Sequence, residues 1–130
     1  TAIEDVIDYG ETLRSQGLSI MQGPGGDPES VTGMAASGAN IICFSTGGGA
    51  PSGSAICPVI KVASTDELAR ALPEDLDFNA GRLLNEDIVI DSLGEELFEM
   101  ICAVASGDKT CAEKLGQKQF QIWTAGKLSL

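Results

Sequence analysis

The apolar positions near the start of the chain predict a helix, a strand and a second helix. Residues 3–16 carry four apolar side chains at the spacing of one helical face, and a glycine follows them. Residues 18–21 are a short apolar run, which is typical of a strand. The second helix is predicted to begin with Asp27 as its N-cap and Pro28 in the first helical position, and to end at Gly38.

The rest of the pattern predicts two buried strands and two further helices. Residues 41–44 are an apolar run between Asn40 and Ser45, and residues 59–63 are apolar except for Lys61. Residues 64–67, Ser-Thr-Asp-Glu, resemble a capping box that opens a short helix. The longest predicted helix covers residues 92–107 and turns five apolar side chains inward. Residues 120–123 are a candidate edge strand.

This alternation of helices and strands indicates a parallel sheet with helices on both faces. We therefore expect a single three-layer, Rossmann-like α/β domain with a mostly parallel sheet, which suits a chain of 130 residues. Two polar turns, residues 23–27 and 45–53, follow predicted parallel strands. Since the carboxyl ends of parallel strands meet at one edge, we expect Gly25 and Asp27 to lie beside the second turn and to bind substrate with it.

The second turn is the most distinctive stretch of the chain. A buried strand ends in Ser45 and Thr46, which three consecutive glycines follow. Glycines allow a ligand to approach the backbone closely, and hydroxyls beside free N–H groups can bind an anion or a sugar. Ser45, Gly47 and Gly49 are therefore candidate binding residues, with a flexible surface loop as the alternative. The stretch lacks the lysine of a P-loop and the third glycine of a dinucleotide fingerprint.

The charge of the chain narrows the classes of partner. Eight Lys and Arg against nineteen Asp and Glu give a net charge of −11. This balance argues against sequence-independent binding to nucleic acid or to an anionic membrane. No apolar run approaches the ~20 residues of a membrane span. A small anionic substrate is compatible with this charge, since a local site can be positive on an acidic protein.

The cysteines indicate a reducing compartment. The chain has four, Cys43, Cys57, Cys102 and Cys111, without a C-x-x-C pair and without any histidine. A structural zinc site is not expected from this set. Cys43 and Cys102 fall on predicted apolar faces, and a cytoplasmic location fits best.

Because the chain opens on Thr1 within a predicted helix, we interpret it as a piece of a longer polypeptide.

An acidic cluster follows the third strand and its short helix. It contains Glu74, Asp75, Asp77 and Asn79. Alternating carboxylates can bind a metal ion, since hard cations prefer oxygen ligands. Asp75 and Asp77 are therefore candidate metal ligands, and Asn79 is a candidate for binding substrate hydroxyls. The alternative is a solvated acidic turn.

In this order, five segments resemble the carboxyl-terminal domain of the altronate/galactarate dehydratase family. They read MQGPGGDPESVTGMAASG, ANIICFSTGGGAPSG, CPVIKVAST, EDLDFNAG and VASGDKTCAEKLG, and the resemblance covers residues 8–123. The family removes water from a hexonic or hexaric acid to give a keto-deoxy sugar acid. The resemblance thus implies a sugar-acid substrate, a divalent metal that is described as iron(II), and further domains in a longer enzyme. It leaves a homo-oligomer open.

Two positions depart from the family pattern. The family's glycine loop often reads Thr-Thr-Gly-Arg-Gly, whereas this chain has Gly48 in place of the arginine. An arginine would supply a planar, bidentate donor for a carboxylate. Gly26 stands where an aromatic residue usually follows the Pro-Gly pair. A non-catalytic module that binds a small anion or a sugar acid is therefore kept as the alternative function.

Dehydration of a sugar acid limits the chemical roles. A base must remove a weakly acidic proton α to a carboxylate, and an electrophile must stabilise the enediolate. In the absence of histidine, the candidate bases are Lys61, Asp27 and Asp77, while Thr46 is the preferred substrate contact. Lys61 in an apolar strand has a lowered pKa if it is buried. Its alternative is a lysine that extends from a strand edge into water, and that of Asp27 is a helix cap.

Overall fold

A computed structural model describes residues 1–85 and 87–124 of the chain. Within them, five strands and five helices follow one another in an α/β order. The elements are β1 Ile3–Ile7, β2 Leu18–Met21, α1 Asp27–Ala36, β3 Ile42–Thr46, β4 Val59–Ala63, α2 Asp66–Ala71, β5 Phe78–Asn79, α3 Arg82–Asn85, α4 Ile90–Ala105 and α5 Cys111–Lys114. Every strand pair among them is parallel. In this part of the chain no helix is long and apolar enough to cross a bilayer.

The helix predicted for residues 3–16 is wrong, because this segment begins with the strand β1. Ile3, Val6 and Ile7 stand at the i, i+3, i+4 spacing of a helical face. However, an irregularity between Ile3 and Asp5 adds one residue to the strand, and this addition disturbs the strict alternation of a β-strand. The strand ends in a turn at Gly10, whose φ of 71° favours glycine.

The helix predicted from Asp27 and Pro28 is confirmed as α1, but its N-cap is Gly26. Asp27 is the first helical residue, and the cap makes no side-chain hydrogen bond. The carboxylate of Asp27 therefore lies in the first turn of α1, where its negative charge interacts favourably with the positive end of the helix dipole. The helix ends at the predicted place, since Gly38 has a φ of 102°.

The parallel strands belong to two sheets rather than to the single sheet that we expected. β1 and β2 form a two-stranded sheet, while β3, β4 and β5 form a three-stranded sheet with β4 in the centre. β4 covers the predicted residues, and β3 is shifted to Ile42–Thr46. The buried core cluster joins α1 to these strands through Val31, Ile42, Cys57 and Val59. Ile60 and Ala63 on β4 are fully buried.

Of the remaining helices, α2 and α5 contact the three-stranded sheet. α2 begins one residue later than the predicted capping box implies, since its N-cap is Thr65 rather than Ser64 and the Thr65 hydroxyl accepts a hydrogen bond from Leu68 N. The longest helix, α4, begins at Ile90, two residues before its predicted start, and buries Leu93 and Val104. The short helix α5 has a complete capping box between Thr110 and Glu113.

The predicted edge strand at residues 120–123 is wrong, because residues 117–124 follow an irregular path. We call these residues the closing segment. Its side chains and backbone bond to distant parts of the fold. Gln119 Oε1 accepts from Gly53 N at 2.9 Å, Gln121 N donates to Thr32 Oγ1 at 3.2 Å, and the Trp123 ring meets the Tyr9 ring edge to face.

Candidate functional site

The glycine loop leaves the three-stranded sheet at the carboxyl end of β3. Thr46, the last residue of β3, pairs with Ala63 on β4, and Ala63 pairs with Asn79 on β5. Thr46 and Asn79 therefore occupy one register position at the same edge of the sheet. The Ser64 hydroxyl donates to the Thr46 carbonyl at 3.4 Å. Two predicted site residues thus lie on either side of β4 at the edge where open α/β sheets bind ligands.

The loop itself is accessible at its first two glycines. A Cβ added to Gly47 or Gly48 would meet no atom within 4 Å, and Ser45 is exposed. Gly49 differs, because its φ is 75° and an added Cβ would come within 2.8 Å of Leu72 Cδ1. The loop therefore has an open first half and a second half that is held against α2.

Gly25 and Asp27 lie in the turn that follows β2. The expectation of a shared strand edge with the glycine loop is wrong, since β2 and β3 belong to different sheets. Gly25 is exposed, and an added Cβ would meet nothing within 4 Å. Their role in binding stays a prediction.

Lys61 lies in the centre of the three-stranded sheet and is 1% exposed. The alternative of a lysine that extends from a strand edge into water is therefore wrong. Its Nζ donates to Gln117 Oε1 at 2.7 Å, and Gln117 Nε2 donates to Asp75 Oδ1 at 3.1 Å. Burial lowers the pKa of Lys61, although the charges of Asp77, Asp75 and Cys111 oppose this effect. A lowered pKa suits a base, but the buried ammonium is also bound to the closing segment.

We predict that stability will depend on the ionisation of Lys61. The unfolded state holds its proton up to a pKa of about 10.4, while the folded state releases it at a lower pH. Between these two values the unfolded state binds more protons, so the free energy of unfolding rises with pH, by at most about 1.4 kcal/mol per pH unit. Urea unfolding at several alkaline pH values should therefore show the wild type gaining stability relative to Lys61→Met. Parallel curves for the two proteins would contradict this prediction.

Asp77 joins three elements of the fold. Its Oδ2 accepts from Lys61 N at 2.8 Å, and its Oδ1 accepts from Cys111 N at 2.6 Å. Its own N–H donates to the Lys61 carbonyl at 2.8 Å. Both carboxylate oxygens thus bind backbone amides on β4 and α5. The alternative of a solvated turn does not describe this residue, although its predicted catalytic role stays a prediction.

Asn79 is also held by neighbouring groups. Its Nδ2 donates to Asp66 Oδ1 at 2.8 Å, and its Oδ1 accepts from Gly81 N at 3.0 Å. Asn85 Nδ2 donates to the other oxygen of Asp66 at 2.7 Å. The hydrogen bonds from Asn79 and Asn85 lower the pKa of Asp66. Asn79 therefore fixes the start of α2 beside the candidate site.

Asp75 and Asp77 of the acidic cluster bind other groups of the domain, and their role as metal ligands stays a prediction. Among the residues that the structure describes, no three His, Cys, Asp or Glu side chains gather in a way that could hold a metal ion. Asp77 uses both oxygens for backbone N–H groups, and Asp75 Oδ1 accepts from Gln117. This pair alone therefore does not fit the ligand set of a catalytic divalent ion.

All four cysteines are free thiols, but two of them differ from the prediction in their burial. Cys43 and Cys102 are exposed rather than buried on apolar faces, whereas Cys57 is buried. Cys43 belongs to β3 and Cys102 to α4, so the strand and helix assignments were right and the covered faces were wrong. Burial raises the pKa of Cys111, whose thiol lies 3.7 Å from the Leu76 carbonyl oxygen.

The residue that sequence reasoning missed is Gln117. It connects Lys61 to Asp75, and it lies 56 positions from Lys61 in the chain. A neutral amide in a polar stretch carries no sequence signal of its own. Only the presence of a buried lysine could have suggested that a partner exists.

An open groove lies away from the glycine loop. This groove of about 610 Å³ lies between α4 and α5 and contains Asp77 and Cys111 in its lining. Its charged side chains include the acids Glu96 and Asp108 and the base Lys114. The groove shares only Asp77 with the predicted site residues.

Comparison with known proteins identifies the family. The sequence model described as D-galactarate/altronate dehydratase, C-terminal, matches residues 1–128. The altronate dehydratase of Bacillus subtilis is 37% identical over 124 residues, which are 95% of this chain and 25% of that protein. The (2R)-sulfolactate sulfo-lyase subunit beta of Chromohalobacter salexigens is 35% identical over 120 residues, 92% of this chain and 31% of that protein. The galactarate dehydratase (L-threo-forming) of Escherichia coli is 37% identical over 109 residues, 84% of this chain and 21% of that protein.

The chain spans about a quarter of the length of the curated relatives that it matches. The matching family model covers nearly the whole chain and is itself the description of a C-terminal region. The chain therefore belongs to the D-galactarate/altronate dehydratase family and corresponds to its C-terminal domain.

Proposed function

We propose that this chain is the carboxyl-terminal domain of a sugar-acid dehydratase that eliminates water from a hexonic or hexaric acid. The observation that carries the proposal is the 37% identity to an altronate dehydratase over 95% of the chain. The fold supports it, because the open glycine loop follows β3 at the carboxyl edge of a parallel sheet. We further propose a cytoplasmic setting, in keeping with four free thiols.

The domain offers groups that can bind and orient a hydroxy acid. Gly47 and Gly48 leave room for a carboxylate at the loop backbone, and Thr46 presents a hydroxyl at the strand end. Lys61 lies on the same face of the sheet as Thr46, two register positions earlier, or about 7 Å along the strand. Lys61 is buried, so its ammonium does not contact a ligand at this edge directly. We propose that its charge stabilises an anionic ligand there electrostatically.

For the divalent metal, which by resemblance is iron(II), we propose ligands in another part of the longer enzyme. The two carboxylates predicted as ligands already accept hydrogen bonds from Lys61 N, Cys111 N and Gln117 Nε2. A bound divalent ion supplies Lewis acidity for the enediolate. The contribution of this domain is then one wall of a site that lies between domains, as is common for ligand sites.

A second candidate is a non-catalytic module that binds a small hydroxy acid. The observation in its favour is Gly48, which replaces the loop arginine common in the family with an open position. The name of one relative, a sulfo-lyase subunit acting on (2R)-sulfolactate, also extends the range of acids to be tested. Under this alternative, altronate, galactarate or sulfolactate would bind to the full-length protein without turnover.

We expect the purified 130-residue chain to show no dehydration of altronate or galactarate, with or without iron(II). Proton abstraction needs the base, the metal and a carboxylate clamp in register, and a misplacement of about 1 Å can cost ~100-fold in rate. An assay for the keto-deoxy acid product, with the full-length enzyme as positive control, measures this directly. Turnover by the chain alone would disprove the proposal that the active site is formed jointly by this domain and another part of the enzyme.

Gly47→Val in the full-length enzyme should lower kcat/KM for its sugar acid at least about 10-fold. The branched side chain closes the approach to the loop backbone, while the open space around Gly47 keeps the loss of stability small. Gly94→Val is the matched control, because Gly94 also has nothing within 4 Å but lies on α4. Equal kcat/KM values in the two variants would remove the loop from the proposed site.

A further inference from the structure

The two-stranded sheet exposes an apolar face. Ile3 pairs with Leu18, and Val6 pairs with Ile20. These four side chains are 54%, 47%, 64% and 46% exposed, respectively. A face that meets water normally carries polar side chains. The four together form an apolar patch on the order of a few hundred Å², comparable to the largest patch on a typical monomer, which is often functional.

The other face of this sheet is already covered and is the more polar one. It carries the pairs Asp5 with Ser19 and Ile7 with Met21. Ile7 is 2% exposed, and Met21 Sδ accepts a hydrogen bond from the Ser37 hydroxyl beyond α1 at 3.1 Å. A sheet with one solvent-exposed face normally buries its apolar face and exposes its polar face. Here the more polar face is covered and the apolar face is exposed.

An extra residue in β1 produces the apolar face. The pairing advances from Ile3 to Asp5 on β1 while it advances by a single residue on β2, so that Glu4 has no partner. In a regular strand, Ile3 and Val6 would point to opposite faces. The bulge places both beside the apolar residues of β2. Gly17, with a φ of 117°, leaves room for the Glu4 side chain.

We propose that the part of the full-length polypeptide that precedes this domain docks on the face formed by Ile3, Val6, Leu18 and Ile20. Parallel sheets occur almost only with both faces covered, and two strands alone are marginally stable. The family region is C-terminal, and about three quarters of the altronate dehydratase relative lies outside the match. The surface that docks on this face is therefore expected to be apolar and to belong to the same polypeptide.

Charge disfavours a second copy of this domain as the occupant. The chain has a net charge of −11, so two copies face to face would repel each other. Glu4 lies in the bulge of the sheet itself and would add to this repulsion in a symmetric contact. A different surface of the longer polypeptide is not bound to repeat this charge.

Cysteine labelling of the full-length enzyme tests this inference without reference to catalysis. Ile20→Cys should react with a maleimide at least about 10-fold more slowly than Gln16→Cys, with the labelled peptides read by mass spectrometry. Gln16 is the matched control, because it is exposed in the same β1–β2 unit but outside the apolar face. Equal labelling rates at the two positions would overturn the proposal.

A second pair of variants separates the remaining outcomes. Ile20→Lys should lower the melting temperature of the full-length enzyme and speed the proteolytic release of this domain, whereas Gln16→Lys should do neither. An unchanged enzyme in both variants would count against docking. Protection of Ile20→Cys that fades on dilution would assign the face to a second copy, which would equally overturn the proposal.

Discussion

Replacing Asp77 with alanine is expected to lower the free energy of unfolding by about 2–6 kcal/mol, since two backbone N–H groups lose their acceptor at about 1–3 kcal/mol each. The groups are Lys61 N and Cys111 N, which bind the two carboxylate oxygens at 2.8 and 2.6 Å. They lie on β4 and α5, so the substitution also loosens the contact between these elements. Urea unfolding followed by circular dichroism measures the change.

Asp75→Ala is the matched control, because it removes a neighbouring carboxylate that accepts from the Gln117 side chain. Its expected cost is about 0.5–1.5 kcal/mol, the contribution of an ordinary hydrogen bond. If Asp77→Ala costs no more than Asp75→Ala, the bridging role of Asp77 is wrong. A loss of activity in Asp77→Ala without a loss of stability would instead support its catalytic role.

Gly81→Ala is expected to destabilise the domain by about 3 kcal/mol or more, through overpacking combined with loss of a helix cap. A Cβ at this buried glycine would overlap the backbone of Thr65 and Asp66. Those residues cap and begin α2, and backbone cannot move aside as a flexible side chain can. The melting temperature should fall accordingly.

Gly94→Ala provides the comparison for Gly81→Ala, since an added Cβ there meets open space in the middle of α4. Alanine is also the better helix former, so this change should raise stability by about 0.5–1 kcal/mol. Equal melting temperatures for the two variants would show that α2 can shift away from Gly81 without cost.

The central strand and the first long helix could be predicted from local signals. Residues 59–63 are apolar except for Lys61, and the structure places all of them in β4. The Asp27-Pro28 pair fixes the start of α1 because proline suits the first helical turn. In contrast, the helix predicted for residues 3–16 is wrong because the bulged strand β1 imitates the spacing of a helical face.

The candidate site was less predictable because its geometry depends on distant contacts. Strand order alone could place Thr46 at a sheet edge, and it lies there beside Ala63 and Asn79. The sequence does not show that β2 belongs to a second sheet. The prediction that Gly25 shares a strand edge with the glycine loop is therefore wrong. The partners of Asp77 on β4 and α5 are likewise set by tertiary structure.

The closing segment has a consequence for synthesis of the protein on the ribosome. Its Gln117, Gln119 and Trp123 bind residues that lie 56, 66 and 114 positions earlier in the chain. Until these residues have emerged, the ammonium of Lys61 has no amide oxygen to accept its hydrogen bond, and Tyr9 has no ring partner. Contacts of such long sequence separation form slowly. The nascent domain therefore remains incompletely folded, and dependent on protection from aggregation, until residues 117–124 have been translated.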